Sequence, residues 1–309
     1  MVKIAEEWLA TCGGCEVTIL DIGEPLLDLL PQLEFVHMPV IMDHKYFGQT
    51  GEKGFEIPEA DVGLISGGIR SEENARVAEE MRKKVNTLVA LGSCANFGGI
   101  PALANMFTLP DLLTTVYRKT KSTEAADNPS EDLPPLKERV YALSEVVKVD
   151  VCLPGCPTTP ELVAQAITSL LEGKPVVLSE RSVCDDCPTK REKKTVSNLK
   201  RPLDKIEIQE DQSYEEMRCL MEQGYLCLGP ATRTGCGGDD KIPRCIRAFM
   251  PCRGCFGPIR AGANPMVDMM GAISSIGLDP KQIEDRMATF NRFIGVTGRL
   301  RPLPVRQHP

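Results

Sequence analysis

Two cysteines separated by a pair of glycines lie near the start of the chain, in the sequence Cys12-Gly13-Gly14-Cys15. The apolar residues before them predict a strand over Lys3–Leu9, and the residues after them predict a helix. The turn therefore lies at a helix N-terminus, where unpaired backbone N–H groups favour anionic sulfur. We expect both thiols to deprotonate easily, as the ligands of a metal ion or an inorganic cluster must.

Cysteine is abundant in this chain and histidine is scarce, with 13 cysteines and 3 histidines among 309 residues. An odd number of cysteines in an unexported chain argues against a disulfide framework. With so few histidines, a Cys/His zinc enzyme or a histidine-based catalytic site has little material. All-thiolate sites suit zinc or iron–sulfur clusters, and the grouping of the cysteines must distinguish them.

The net charge of -7 and the pI of about 5.3 give no reason to expect nucleic acid, so the expected partners are proteins. Apolar runs fall short of the roughly 18 residues that span a bilayer, and the N-terminus lacks a basic segment followed by an apolar one. We predict a cytoplasmic protein that does not bind membranes. The length allows two domains, which a change of pattern places at 1–172 and 173–309.

Strands, turns and helices alternate through the first half of the chain. Beyond the first strand, apolar runs predict strands over Phe35–Ile41, Asp61–Ser66, Thr87–Gly92 and Glu145–Val151. The charged, proline-containing segment Arg118–Arg139 is predicted to be an exposed insertion. The alternation indicates an α/β fold with a doubly wound parallel sheet.

Four cysteines fall at the ends of predicted strands: Cys12, Cys15, Cys94 and Cys156. Ligands of doubly wound sheets bind outside the carboxyl ends of the strands. The topology can therefore gather four thiolates at one sheet edge, which is a complete set of ligands for a cluster.

From about Gly173 the sequence changes to short polar segments with no strand pattern. Helices are predicted over Tyr214–Gln223, Pro265–Ile276 and Pro280–Phe293. Eight further thiols lie here: Cys184, Cys187, Cys219, Cys227, Cys236, Cys245, Cys252 and Cys255. Because the apolar residues of this segment could not build a large core alone, we expect clusters to hold together an irregular, mostly helical domain.

Five motifs together resemble, in order and spacing, those of the small, electron-transferring subunits of [NiFe] hydrogenases. They are Cys12-Gly-Gly-Cys15-Glu16, Gly92-Ser-Cys94 with Gly98-Gly-Ile100-Pro101, Pro154-Gly-Cys156-Pro157, Cys227-Leu-Gly-Pro-Ala-Thr232 leading to Cys236, and Pro251-Cys252-x-x-Cys255. The resemblance covers nearly the whole chain, and it is to the soluble F420-non-reducing hydrogenases of methanogens in particular. It implies a flavodoxin-like N-terminal domain.

The resemblance also implies which cysteines hold which cluster. The proximal [4Fe–4S] cluster would be held by Cys12, Cys15, Cys94 and Cys156. The medial cluster would be held by Cys236, Cys245, Cys252 and Cys255, and the distal cluster by Cys184, Cys187, Cys219 and Cys227. Many family members have histidine in place of Cys184, and the better-known three-iron medial cluster has proline near the position of Cys245. With cysteine at both positions, we predict three [4Fe–4S] clusters.

The resemblance implies that the chain is a hydrogenase subunit that is not catalytic alone. The Ni–Fe site would lie in a partner large subunit, and electrons would pass to a small [2Fe–2S] adaptor (delta) subunit and then to heterodisulfide reductase in methanogenesis. One alternative is the small subunit of an F420-reducing hydrogenase. Another is a docking subunit like the one that carries the proximal cluster of respiratory complex I, which this chain fits poorly because it has an eight-cysteine second domain.

Structural zinc is the main alternative for the paired cysteines, since Cys184-x-x-Cys187 and Cys252-x-x-Cys255 could form one zinc site. Such a site would leave the other four thiols of that segment unused. Cys152 is left over in the cluster assignment. We predict that it is a small buried apolar residue, the alternative being an additional ligand.

Two charged features allow more than one interpretation. Glu16 is either an acid in the first turn of a helix or an accessory group near the proximal cluster, with a role in proton transfer or subunit contact. A basic run follows Cys187 and comprises Lys190, Arg191, Lys193, Lys194, Lys200 and Arg201. Such runs are usually solvated, but this one could steer an acidic partner.

Overall fold

The computed structural model describes residues 1–46, 55–193, 195–200, 206–207 and 212–295. Within these ranges the chain divides into two compact units, one formed by residues 1–172 with 294–295 and the other by residues 173–293. Most of the loop predicted over Asp43–Glu56 lies outside the described residues, as do Lys194 and Arg201 of the basic run. None of the helices in the described ranges is long and apolar enough to cross a membrane.

The first unit contains a parallel sheet. The strands of the described residues are β1 (Val2–Trp8), β2 (Leu33–His37), β3 (Ala60–Ser66), β4 (Ile69–Ser71), β5 (Val85–Leu91), β6 (Leu136–Tyr141) and β7 (Val151–Leu153). Five of these described strands form one sheet in the order β2-β1-β3-β5-β7, with all neighbours parallel. This is the flavodoxin-like order, so the predicted doubly wound α/β fold is confirmed.

Helices connect and flank the strands. The first unit contains α1 (Gly14–Leu20), α2 (Glu24–Leu29), α3 (Glu72–Lys84), α4 (Gly92–Phe97), α5 (Leu109–Thr114) and α6 (Pro160–Leu171). Helix α3 begins with a capping box, in which the Ser71 hydroxyl accepts from the Asn74 N–H at 3.1 Å and Asn74 Oδ1 accepts from the Ser71 N–H at 3.2 Å. Its buried face ends at Met81, whose burial stabilises the unit by about 1.5–3 kcal/mol.

The central strands are almost continuously apolar because helices cover both faces of a parallel sheet. In β5, the residues from Leu88 to Leu91 are all buried. The edge strand β7 is held to β5 by Asp150, whose carboxylate accepts from the Leu88 N–H at 2.9 Å and pairs with Arg82 at 2.5 Å. The strand that precedes Cys156 is therefore held in place by these bonds.

The second unit has an irregular backbone with little regular secondary structure. Its described helices are α7 (Val183–Asp186), α8 (Arg244–Arg247), α9 (Pro265–Ser275) and α10 (Arg286–Asn291). Helix α9 agrees with the predicted helix and buries Met269 and Ile273 in an apolar cluster with Phe290. Cys227 and Cys252 belong to the same apolar cluster, so predicted cluster ligands form part of the core itself.

Three sequence predictions of secondary structure are wrong. The fourth strand, predicted over Glu145–Val151, begins only at Val151, because the residues before it turn so that Asp150 can cap Leu88. By contrast, the segment predicted to be an exposed insertion, Arg118–Arg139, is exposed from Arg118 to Leu136, and its last residues begin β6, which pairs with β4.

The second error is the helix predicted over Tyr214–Gln223, which is a series of turns. Its backbone groups bond across the unit: Met217 O accepts from the Lys190 N–H at 2.9 Å, and the Cys219 N–H donates to Lys190 O at 2.8 Å. These long-range bonds use groups that a helix would pair internally. The third error is the helix predicted over Pro280–Phe293, of which the structure forms only a short 3-10 turn at Pro280–Gln282 and α10.

Candidate iron–sulfur sites

The carboxyl ends of four strands are aligned at one edge of the first unit. Trp8 of β1 pairs with Ser66 of β3, Ser66 pairs with Leu91 of β5, and Leu91 pairs with Leu153 of β7. Each of the four predicted proximal ligands follows one of these ends within a few residues: Cys12 and Cys15 after β1, Cys94 after β5 and Cys156 after β7. The register of the strands therefore places all four cysteines at one edge of the sheet.

Backbone bonds hold the turns that carry these cysteines. The turn after β1 is bridged to the turn after β3, since Ala10 and Gly68 exchange N–H···O bonds of 3.0 and 3.1 Å. The turns after β5 and β7 are joined by the Ser93 N–H, which donates to Gly155 O at 2.7 Å. The side-chain amide of Asn96 adds bonds to Gly92 O at 2.8 Å and to Leu153 O at 3.0 Å.

The four thiols interact electrostatically. Burial, together with the charges of Glu16, Cys94 and Cys156, raises the pKa of Cys15 to about 12. Burial, with the charges of Cys156 and Cys12, likewise raises the pKa of Cys94 to about 12. The expectation that both thiols of the first turn deprotonate easily is therefore wrong for Cys15, because loss of water outweighs the backbone N–H groups. Metal binding must displace its proton.

Glycines stand where a side chain would meet the sulfur atoms. A Cβ atom at Gly92 would overlap Sγ of Cys15, and one at Gly14 would lie 3.4 Å from Sγ of Cys12. Gly92 also has a φ of +79°, which side-chain-bearing residues rarely adopt. The space beside the thiols is thus kept clear by the backbone, which fits a bulky inorganic group held by four thiolates.

Two buried carboxyl groups adjoin this site. Glu6 and Glu16 are 0% and 1% exposed, and within the described residues their carboxyl oxygens have no hydrogen-bond partner other than each other. Burial, with the charges of Glu16 and Glu7, raises the pKa of Glu6 to about 9, so Glu6 is protonated at neutral pH. Glu16 lies in the first turn of α1, and its carboxyl group is enclosed by the unit itself.

A further buried carboxylate, Glu7, lies on the same strand as Glu6 and is fully paired. It receives His37 Nε2 at 2.5 Å on one oxygen and the Tyr46 hydroxyl at 2.7 Å on the other. Glu7 therefore links β1 to β2 through His37, whereas the carboxyl group of Glu6 is the one that interacts with Glu16.

In the second unit, a cavity of about 570 Å³ is lined by all four predicted distal ligands, Cys184, Cys187, Cys219 and Cys227. Burial raises the pKa of Cys227 to about 12, with the charges of Cys184 and Cys219 adding to it. Gly229 again clears space, since a Cβ there would lie 3.0 Å from Sγ of Cys184. Cys252, a predicted medial ligand, also lines the cavity. A cavity lined by interacting thiols fits an all-thiolate cluster.

The four predicted medial ligands also interact, though through fewer pairs. Burial raises the pKa of Cys252 well above its ordinary value, with the charges of Cys227, Cys245 and Cys255 adding to it. Cys236 and Cys245 interact in the same way. Cys252 connects the two groups directly, because its backbone N–H donates to Sγ of Cys227 at 3.3 Å.

The remaining cysteine does not match its prediction. Cys152 is exposed on β7, whereas its neighbour Leu153 is buried, as the alternation of an edge strand requires. The prediction of a buried apolar residue is therefore wrong. Within the described ranges, no three His, Cys, Asp or Glu side chains lie close enough together to hold a single metal ion.

A parallel sheet with four thiols at its strand ends, followed by a cysteine-rich irregular unit, defines an iron–sulfur subunit of an oxidoreductase. The sequence profile of the family described as NADH ubiquinone oxidoreductase, 20 Kd subunit, matches residues 12–170. One subunit of the vhu F420-non-reducing hydrogenase of Methanocaldococcus jannaschii is 39% identical over 94% of both chains. The chain therefore belongs to the 20 Kd subunit family, and within it to the subunits of [NiFe] hydrogenases. These hydrogenases are oxidoreductases that act on H2.

One solved structure agrees with this assignment, and a second shares the fold. A chain of an NAD+-reducing [NiFe]-hydrogenase in the H2-reduced state is 35% identical, with a TM-score of 0.52 over 57% of this chain and 94% of that one. A chain of the [NiFeSe] hydrogenase from Desulfovibrio vulgaris Hildenborough gives a TM-score of 0.52 over 84% of this chain and 95% of that one. At 16% identity, the second likeness is one of fold alone.

Sequence patterns do not mark several residues that shape these sites. Glu6 is one of them. The one sequence signal for it is its place inside an apolar strand, where a glutamate indicates a buried polar group. Thr189 and Glu222, both of which line the distal cavity, are two more. Thr189 and Glu222 lie within three residues of the predicted ligands Cys187 and Cys219, but no residue pattern shows that their side chains line the cavity.

Proposed function

We propose that this chain is the electron-transfer subunit of a [NiFe] hydrogenase and that it holds three [4Fe–4S] clusters. The observation that carries the proposal is the grouping of twelve interacting thiols, four at the sheet edge of the first unit and eight in the second unit. The resemblance divides those eight into two sets of four. Bound clusters would accept and release single electrons. The thiols would supply all twelve protein ligands.

The assignment is the one that the resemblance implies. Cys12, Cys15, Cys94 and Cys156 would hold the proximal cluster, Cys236, Cys245, Cys252 and Cys255 the medial cluster, and Cys184, Cys187, Cys219 and Cys227 the distal cluster. The chain's own contribution is to exclude water around the thiols and to hold them in place. The N–H···S bond from Cys252 to Cys227 supports a short route between the medial and distal sites.

Electrons would enter from a partner large subunit that carries the Ni–Fe site and oxidises hydrogen. Exposed apolar side chains near the proximal thiols support a protein contact there: Trp8 precedes Cys12, Val17 follows Cys15, and Ile100 is bonded through its N–H to Cys94. By resemblance to the F420-non-reducing hydrogenases, the acceptor would be a small [2Fe–2S] adaptor subunit and then heterodisulfide reductase.

The test is anaerobic purification of the native complex, with metal analysis and identification of the co-purifying subunits. We expect about twelve irons per copy of this chain, nickel in a co-purifying subunit, and EPR signals that appear under hydrogen. A colourless, EPR-silent chain containing zinc would contradict the proposal. Reduction of coenzyme F420 by the pure complex would instead assign the chain to an F420-reducing hydrogenase.

A further inference from the structure

A basic and a hydroxyl-bearing side chain line the distal cavity beside the four predicted distal thiols. Arg191 and Thr189 line it together with Cys184 and Cys187. Thr189 is buried, and its hydroxyl lies 3.2 Å from Sγ of Cys187. When that sulfur is a thiolate it can only accept, so the hydroxyl is the donor.

The segment that carries Arg191 is fixed against the distal ligands. On one side, Lys190 O accepts from the N–H of the ligand Cys219 at 2.8 Å. On the other side, the Glu222 carboxylate accepts from the N–H groups of Glu192 at 2.7 Å and Lys193 at 3.1 Å. Although the side chain of Arg191 is exposed, its backbone is held by bonds on both sides, and one of these bonds is to a ligand.

Charges of both signs surround the distal thiols. Asp185 and Glu222 are acidic and line the cavity, whereas Arg191 and Lys193 are basic. Asp185 is engaged with the Ser182 N–H at 2.7 Å and Glu222 with the two N–H groups above, so both carboxylates are partly offset by their donors. Arg191 lines the same cavity as the four predicted distal thiols, so its positive charge lies beside them.

We propose that Arg191 and Thr189 are positioning residues that raise the reduction potential of the distal cluster, and this inference rests on the proposed function. An all-cysteine site carries one negative charge more than a site with one histidine, which disfavours a further electron. A guanidinium group and a hydroxyl donor beside the thiolates compensate for that charge. The distal cluster can then still receive electrons from the medial one.

The experiment is a redox titration of the native complex followed by EPR, with the proximal and medial signals as internal references. In Arg191→Gln we expect the ratio of oxidised to reduced distal cluster at fixed ambient potential to rise about tenfold, equivalent to about 59 mV for a one-electron couple. Thr189→Val should shift it in the same direction. Arg191→Lys, which keeps the charge, should stay close to the unaltered protein. Lys190→Gln, a change in the same basic run at an exposed position, should leave all three potentials unchanged.

Other outcomes would overturn the inference. One is a distal potential unchanged in both Arg191→Gln and Thr189→Val, with the distal signal intact. Another is an Arg191→Gln complex in which only the salt dependence of acceptor reduction changes, which would assign Arg191 to partner steering. A shift in Lys190→Gln as large as in Arg191→Gln would show a diffuse charge effect. An unaltered complex without a distal [4Fe–4S] signal would refute the proposed function itself.

Discussion

The backbone N–H of Cys252 donates a hydrogen bond to Sγ of Cys227 at 3.3 Å, which joins a predicted medial ligand to a predicted distal one. The carbonyl oxygen of Cys252 in turn accepts from the Leu228 N–H at 2.9 Å, so the two ligand segments are paired in both directions. Both cysteines are buried in one apolar cluster. The two sites of the second unit therefore share a structural element.

This sharing predicts unequal effects for two changes at the medial site. Cys252→Ala should reduce the iron content by about four per chain and also shift the distal EPR signal, because the backbone that donates to Cys227 moves. Cys236→Ala removes a predicted medial ligand whose neighbours are Arg244 and Cys245, and it should leave the distal signal in place. Iron analysis with EPR of the reduced complex measures both. Equal distal signals in the two variants would refute the coupling.

A second prediction concerns the glycine beside the proximal thiols. Gly92→Ala should prevent assembly of the proximal cluster, with a loss of about four irons per chain, because the new Cβ would overlap Sγ of Cys15. Gly173→Ala is a matched control, since Gly173 has a φ of +66° but no atom within 4 Å of the added Cβ. The control should lose about 1–2 kcal/mol of stability from backbone strain and keep its iron. Full iron content in Gly92→Ala would contradict the assignment.

A third prediction is a pH dependence of stability that arises from Glu6. Its pKa is about 9 in the folded chain against an ordinary value of 4.5, so the unfolded state loses this proton first as the pH rises. Stability should therefore fall between about pH 4.5 and pH 9, by at most about 1.4 kcal/mol per pH unit from this group. Glu6→Gln removes the ionisation and should flatten the dependence.

Urea unfolding midpoints of the full chain at pH 5.5 and pH 8, followed by circular dichroism, measure this effect. Glu34→Gln changes an exposed glutamate on β2 and serves as the control, with the slope of the unaltered protein expected. A Glu6→Gln slope equal to that of the control would show that the Glu6–Glu16 pair is not the source.

The fourth prediction concerns the thirteenth cysteine. Cys152 is exposed on an edge strand, so Cys152→Ala should leave about twelve irons per chain and unchanged EPR signals. Cys94→Ala, at the end of the neighbouring strand, should lose the proximal signal. A loss of iron in Cys152→Ala would make Cys152 a ligand.

Local patterns in the sequence were sufficient for much of the architecture. The apolar run from Thr87 to Gly92 predicted a strand, and the helix predicted from Pro265 begins at that residue as α9. These features depend on residues near one another in the chain. Predictions from local patterns failed where hydrogen bonds to distant residues determine the backbone. The segment from Tyr214 to Gln223, whose backbone bonds to Lys190, is an example.

The sequence by itself determined the number and spacing of the thiols, the alternation that carries four of them to strand ends, and the family to which the chain belongs. Only the tertiary structure decided which groups surround those thiols. It placed Glu6 against Glu16, brought Arg191 and Thr189 into the distal cavity, and turned Cys152 outward. The physical reason is that burial and neighbouring charge depend on how distant segments pack, whereas spacing and periodicity are local properties of the chain.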